Sequence, residues 1–226
     1  MCRKVVLAIF VGVMISGISF AEEKEKKASF TISQGMLHYK AANDSAKVDG
    51  ETTKVKTTEV ATFSTPMELS ATIDKVVIYL YPTQPASAFG LGYYVMTNLE
   101  TGVFLGLNSK DVNNPKNKTQ ATDVSLYGIY YLELKGCSLE LRGSLGMSKS
   151  TSEQTFINGT VESTSKTNES GTSIDIGVDH VLPLTDNFAY VAGIGYSMSN
   201  SEEKETKTKL SSSTLTLNLA TVRVIF

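Results

Sequence analysis

Tryptophan is absent, histidine and cysteine occur twice each and proline five times in this 226-residue sequence. Each scarcity removes a class of function. Cys2 lies at the very start, which leaves Cys137 alone, so neither an intrachain disulfide nor a cysteine-built metal site can form. The plain expectation for Cys137 is a small residue at a turn. His38 and His180 belong to different strands and to opposite ends of them, so catalysis centred on histidine finds little footing. His38 with Ser45 or Asp44 is the weak candidate, because it lacks any surrounding motif. There is no Gly-rich phosphate loop, paired-cysteine spacing or Ca²⁺-loop pattern, and no cofactor or metal is expected.

Charge and hydropathy are equally reticent. Lys and Arg number 21 against 23 Asp and Glu, a net −2 that gives no case for nucleic acid or for a basic membrane-surface patch. Beyond residue 21 no apolar run reaches 18 residues, so no transmembrane helix is expected there. The mean hydropathy of −0.04 is that of an ordinary soluble protein. A membrane β-barrel would look the same, because lipid-facing and lumen-facing residues alternate along its strands and average out.

What is present begins with the two ends of the chain. Arg3 and Lys4 precede an apolar stretch from Val5 to Ile18 and a small-x-small Ser19-Phe20-Ala21, which predicts a secretory signal peptide over residues 1–21, cleaved after Ala21. The alternative, an uncleaved anchor, is disfavoured because the run falls short of the roughly 20 residues a helix needs to span. Cleavage would remove two basic residues and no acidic one, leaving 19 against 23, or −4. Residues 22–28 read as a charged periplasmic leader (E-E-K-E-K-K at its core). At the other end A-T-V-R-V-I-F alternates to a final aromatic.

Between them almost everything has period two. Leu126, Gly128, Tyr130, Leu132 and Leu134 oppose Ser125, Tyr127, Ile129, Tyr131 and Glu133. Leu139, Leu141, Leu145 and Met147 oppose Glu140, Arg142 and Ser144, and Ile174, Ile176 and Val178 oppose Asp175 and Asp179. Phe188 to Met198 continues the pattern, with small residues on its second face. A hairpin is expected between Ala88–Thr97 and Val103–Asn108. Earlier strands are expected near Ser29–Tyr39, Thr58–Ala71, with Pro66 at a bulge or strand end, and Lys75–Tyr81. Backward from Phe226, connections alternate long (200–209, 149–170, 109–121) and short (183–187, 135–137, 98–102), with the long ones rich in Ser, Thr, Lys and Glu. Asn158-Gly159 is a favoured tight turn and could close a hairpin extending outward. A soluble sandwich has no reason to gather every long connection at one end, whereas a membrane barrel does.

Parity then assigns faces. Glu133, Glu140, Arg142, Asp175, Asp179 and Arg223 lie opposite the apolar row of their own strands and should converge in the lumen as an ionic plug or constriction, or stand singly in a wet pore. Tyr39, Tyr79, Tyr81, Tyr93, Tyr94, Tyr190 and Tyr196 are expected as interfacial aromatics. Val222, Val224 and Phe226 share a face, but Leu215, Leu217 and Leu219 fall on the other, so a bulge near Ala220 is needed to turn both rows outward.

With the export signal, the Y-Y-V-M-T-N-L-E-T-G hairpin, the alternating connections and the V-R-V-I-F ending, the chain resembles the small bacterial outer-membrane β-barrel family, of OmpA-transmembrane-domain, OmpX and porin-like type. The resemblance implies one antiparallel up-and-down barrel over residues 29–226, with ten strands favoured and eight if residues 40–85 form an extracellular excursion. It also implies outer-membrane lipid and lipopolysaccharide as surroundings, and recognition of Val222, Val224 and Phe226 by the assembly machinery. No separate peptidoglycan-binding domain is expected. A structural, plugged envelope barrel is the leading function, a small porin the second and an enzyme the third.

Overall fold

The computed structural model describes residues 29–48, 51–62, 67–82, 86–112, 117–158 and 161–226. The expected signal peptide, its cleavage site and the leader lie outside these residues, as does Pro66. The described chain is all strand: β1 (Ser29–Val48), β2 (Glu51–Thr62), β3 (Met67–Ile73), β4 (Val76–Pro82), β5 (Ala86–Met96), β6 (Leu99–Val112), β7 (Asn117–Leu134), β8 (Cys137–Asn158), β9 (Val161–Pro183), β10 (Phe188–Glu203) and β11 (Lys209–Ile225). Every neighbouring pair is antiparallel, and β11 returns to pair with β1, which closes the sheet.

Eleven strands occupy ten positions around the barrel. β3 pairs with Ser29–Gln34 of β1, and β2 pairs with His38–Val48 farther along the same strand, so the two lie end to end. The single strand expected near Thr58–Ala71 is thus two, and residues 51–57, expected as connection, are paired.

Four tight turns among the described residues gather at one end. The connections at 74–75, 97–98, 135–136 and 184–187 lie there with the start of β1 and the end of β11. Gly136 supplies the positive φ (85°) that a two-residue hairpin asks for, and Cys137 follows it as the first residue of β8. At 184–187, Thr185 Oγ1 accepts from the amides of Asn187 (3.2 Å) and Phe188 (3.1 Å). The Asn187 side chain donates to Ile225 O at 2.8 Å, tying this turn to the end of β11.

At the opposite end most of the polar residues read as connections are strand, and for β8 and β9 this is the outward hairpin that Asn158-Gly159 allows, its turn lying outside the described residues. β8 and β9 run to Asn158 and Val161, which face each other in register, so nearly all of the stretch read as the 149–170 connection is paired strand. Ser and Thr at alternate positions suit an extended backbone, and cross-strand contacts hold it: Thr119 with Ser152 (3.2 Å), Lys166 with Glu153 (3.0 Å) and Lys209 with Glu202 (3.6 Å). Asn168 donates its side-chain and backbone N–H groups to Glu205 (2.7 and 3.1 Å), and these bonds hold that exposed carboxyl below its ordinary range. The 22 residues of β8 would extend on the order of 75 Å at ~3.4 Å each, more than twice what the roughly 10 residues of a membrane-crossing strand cover.

The barrel is inside out relative to a soluble protein. Among the described residues the buried hydrophobics are few, while Phe89, Leu91, Val103, Leu105, Leu126, Leu145, Ile176, Ile194 and Leu215 stand exposed on adjoining strands. The irregularity near Ala220 lies where the two apolar rows of β11 demand it. Met36 and Leu219 are skipped in the β1–β11 register, and β10 shifts between Val191 and Gly193. As a result Thr214 and Thr221 are both buried, and Leu215 and Leu219 remain outside with Phe226.

Closure is sealed at the inner end by Phe226, whose amide donates to Phe30 O (2.8 Å), whose carbonyl accepts from Phe30 N (3.2 Å) and whose ring lies 6.0 Å from that of Phe30. Removing Phe226 is expected to lower the unfolding free energy by about 1–3 kcal/mol, the loss of two backbone hydrogen bonds and one aromatic contact. Urea titration in lipid vesicles, followed by circular dichroism, would measure it; an unchanged midpoint would contradict this account of closure.

Candidate functional site

The inward faces of the strands carry the chemistry. On β8 and β9 the register sets Glu140 directly opposite Asp179 and Ser144 opposite Asp175. Two carboxylates face to face repel, and each is taken by an arginine. Arg142 Nη2 lies 2.6 Å from Asp179 Oδ2. Arg223, on β11, donates two bonds to Glu140, at 2.5 and 3.1 Å. β9 and β10 separate those two strands, so this second pair is a chord across the lumen rather than a neighbour contact. Gly193 lies opposite Asp179, where a Cβ would run into Oδ1, so there is no room for a side chain. Ser144 donates to Asp175 at 2.8 Å. Below these groups, toward the tight-turn end, Val181, Ala189 and Val191 form an apolar pad.

Five of the six charges expected in the lumen are accordingly placed there, in two ion pairs and one hydroxyl–carboxylate bond. Glu133 is apart from them: two residues from the Lys135-Gly136 turn, it is exposed and joins none of the ion pairs among the described residues.

The other side of the lumen is aromatic, and here the sequence reading needs correction. Tyr79, Tyr81 and Tyr94 do not form an outer girdle; they point inward. Tyr79 donates to both carboxylate oxygens of Glu100 (2.8 and 3.0 Å), Tyr127 to Oε1 (2.7 Å) and Tyr131 to Oε2 (2.7 Å). Glu100 has no exposed surface at all. Tyr81 donates to Glu68 at 2.7 Å, and Tyr94 stacks at a tilt on Tyr131, 5.8 Å away. Phe104 fills the space between Tyr79, Tyr81 and Tyr127, with ring centroids 4.5–5.6 Å from each. Glycine makes this layer possible, since a Cβ at Gly90 would enter the Phe104 ring and one at Gly92 would meet the Tyr127 hydroxyl and Glu100.

The remaining tyrosines behave differently. Tyr93 and Tyr196 are exposed on the outer face, Tyr190 donates to Leu219 O on the next strand, and Tyr39 sits half-buried in register with Leu217. The reason for the split is visible in K-V-V-I-Y-L-Y, where both faces are apolar or aromatic and parity alone cannot choose. The deciding acceptors, Glu68 and Glu100, lie on other strands.

His180 is exposed on the outward face, and the side chain of His38 lies outside the described residues. Among the described residues no group of three or more His, Cys, Asp or Glu is placed to hold a metal ion.

A closed antiparallel sheet with an apolar exterior and a charged and hydroxylated interior pairs its backbone groups strand to strand with no open edge, as crossing a bilayer requires. The chain has the fold of an outer-membrane β-barrel. No protein-family model matches it, and no curated protein does. Among solved structures, the barrel is similar to Neisserial surface protein A (16% identity, 88% of this chain and 99% of that one, TM-score 0.37). It is also similar to Ail, the attachment invasion locus protein of Yersinia pestis (13%, 89% and 100%, 0.34), and to the outer membrane protease OmpT of Escherichia coli (9%, 92% and 99%, 0.45).

Proposed function

We propose that this protein is an integral outer-membrane barrel, closed to sugar-sized solutes in the inner half of its lumen, that serves the envelope as structure and presents its long polar strands as surface. The observation that carries the reading is the Arg223–Glu140 chord, which ties β11 to β8 across the lumen in the same half as the aromatic layer around Glu100. A ten-stranded barrel has little interior beyond its side chains, and here arginine pairs fill one side and tyrosines the other. Outer-membrane lipid and lipopolysaccharide would surround the apolar belt. Val222 and Val224, with Phe226, would present the outward row of β11 to the assembly machinery.

Liposome swelling tests the closed lumen. Vesicles carrying the folded protein are expected to swell no faster in arabinose than protein-free vesicles. Swelling that rises with protein content would replace this reading with that of a solute porin.

A further inference from the structure

The closure of the inner half is lopsided. The arginine pairs belong to β8, β9 and β11 and the aromatics to β4, β5, β6 and β7, but the wall between them, on β1 and β3, carries Glu68 and otherwise small hydroxylated side chains: Ser29, Thr31, Ser70 and Thr72. A cavity of about 520 Å³ lies between this wall and the two layers, touching Tyr79 and Tyr127 on one side and Arg142 and Arg223 on the other. It begins beside Ser29 and Thr72, within two residues of the inner ends of their strands, and reaches Ser125, Ser197 and Thr216 in mid-barrel. Above that level the inward residues of β8 and β9 are again small and polar, Gly146, Ser148, Gly171 and Ser173 among them. At roughly 30 Å³ per water the cavity has room for on the order of 15 waters.

The charge along this path has one sign. Both guanidiniums are held by carboxylates, Arg142 by Asp179 and Arg223 by Glu140. Two further carboxylates line the cavity, Glu68 and Asp175, and their bonds come from the neutral hydroxyls of Tyr81 and Ser144. The pairs cancel, and Asp175 leaves the walls negative, with the Glu68 carboxyl a second acidic group on the path. A narrow path through low-dielectric walls focuses such a field, and hydroxyl and carboxylate oxygens are the ligands a hard cation needs as it sheds water.

The geometry points to a cation-selective passage: hydrated monovalent cations cross the inner half of the barrel along the Ser29–Thr31–Ser70–Thr72 wall, past Glu68, while anions and sugar-sized solutes are excluded. This deepens the closed-lumen reading and rests on it, because the passage exists only as the gap that the two side-chain layers leave.

Planar-bilayer recording in a tenfold KCl gradient tests it. The wild type is expected to give small steps whose reversal potential lies toward that of K⁺, with at least a fivefold preference over Cl⁻. Glu68→Gln should lower that preference at least twofold while the steps persist. Thr31→Cys, in a Cys137→Ser background, should lose most of its current when a cationic methanethiosulfonate reagent is added, a readout that does not depend on introducing a bulky residue during folding. A wild type that is inserted and folded by its heat-modifiable gel mobility yet silent would overturn the passage. Steps without cation preference, or untouched by modification at Thr31→Cys, would overturn it too. Arabinose swelling by the wild type would instead overturn the closed lumen, so the two failures are distinguishable.

Discussion

Glu100→Ala is expected to lower the unfolding free energy of the barrel by about 3–5 kcal/mol, and Glu100→Gln by about half as much. The carboxylate is fully buried and is the common acceptor for Tyr79, Tyr127 and Tyr131, whose hydroxyls approach to 2.7–3.0 Å from β4 and β7. Hydrogen bonds to an ionised acceptor are worth about 1.5–3 kcal/mol each, and a buried donor left without a partner costs about 1–3 kcal/mol. Alanine removes the acceptor that the three hydroxyls share. The total stays below the sum because the adjoining cavity, which touches Tyr79, Tyr127 and Tyr131, can admit water to the stranded hydroxyls. Glutamine keeps one carbonyl oxygen for two of the donors, while its amide can donate to the third hydroxyl. Since the chain has no tryptophan, urea unfolding in vesicles would be followed by circular dichroism or by the gel mobility of the folded barrel. If alanine and glutamine destabilised equally, the loss would come from vacated volume rather than from the three bonds, and the tyrosine cage would not be the lock described here. Tyr79→Phe, which removes a donor and leaves the acceptor with two others, should cost only about 1 kcal/mol.

The barrel was legible in the sequence because period two runs through β7 to β11 with opposite chemistry on the two faces. Where one face is Leu, Leu, Leu and Met and the other Glu, Arg and Ser, as on β8, parity has a single physical solution, and Glu140, Arg142, Asp175, Asp179 and Arg223 followed from it. The bulge near Ala220 was legible for the same reason, since three leucines and Val-Val-Phe cannot both face lipid without an extra residue between them. Legibility failed where both faces are apolar. β4 offers Val77, Tyr79 and Tyr81 to one side and Val76, Ile78 and Leu80 to the other, and only the distant Glu68 and Glu100 decide which row turns inward. Glu100 itself was hidden inside what reads as a turn, Asn98 to Gly102, because β6 begins at Leu99 rather than at Val103. The surviving signal was Gly90 and Gly92 at alternate positions of β5: glycine spaced by two on one face of a strand marks room for something large from a neighbour, here Phe104 and the Tyr127–Glu100 bond. The polar segments misled in the other direction. Ser, Thr, Lys and Glu look like loop composition, but paired across strands they extend the wall of the barrel, and only Asn158-Gly159, between β8 and β9, pointed locally to such a pairing.

Arg223→Ala should destabilise the barrel by about 2–4 kcal/mol and open its lumen, whereas Arg223→Met combined with Glu140→Leu should restore most of the stability. Removing one member of a buried pair leaves the other desolvated and uncompensated, typically at about 3–5 kcal/mol, while replacing both by apolar groups of similar volume is often close to neutral. The side chains of Arg223 and Glu140 are 20% and 9% exposed, so some water reaches the pair and the lower range is appropriate. Arg223→Lys separates charge from geometry: an ammonium keeps the Coulomb attraction but cannot form the two parallel bonds of a guanidinium, and about half the loss is expected. Permeability then decides what the chord does. In Arg223→Ala the ion pair that joins β11 to β8 across the lumen is gone, and Glu140 stays behind as an added negative charge. Bilayer conductance should rise several-fold and become more strongly cation-selective, and arabinose swelling should begin. In the apolar double variant the volume is kept and two cancelling charges leave together, so stability returns and the conductance and cation preference stay near those of the wild type. A variant Arg223→Ala that unfolds more readily but conducts no more than wild type would mean that the pair supports the wall without closing the lumen, and the aromatic layer around Glu100 would then be the plug.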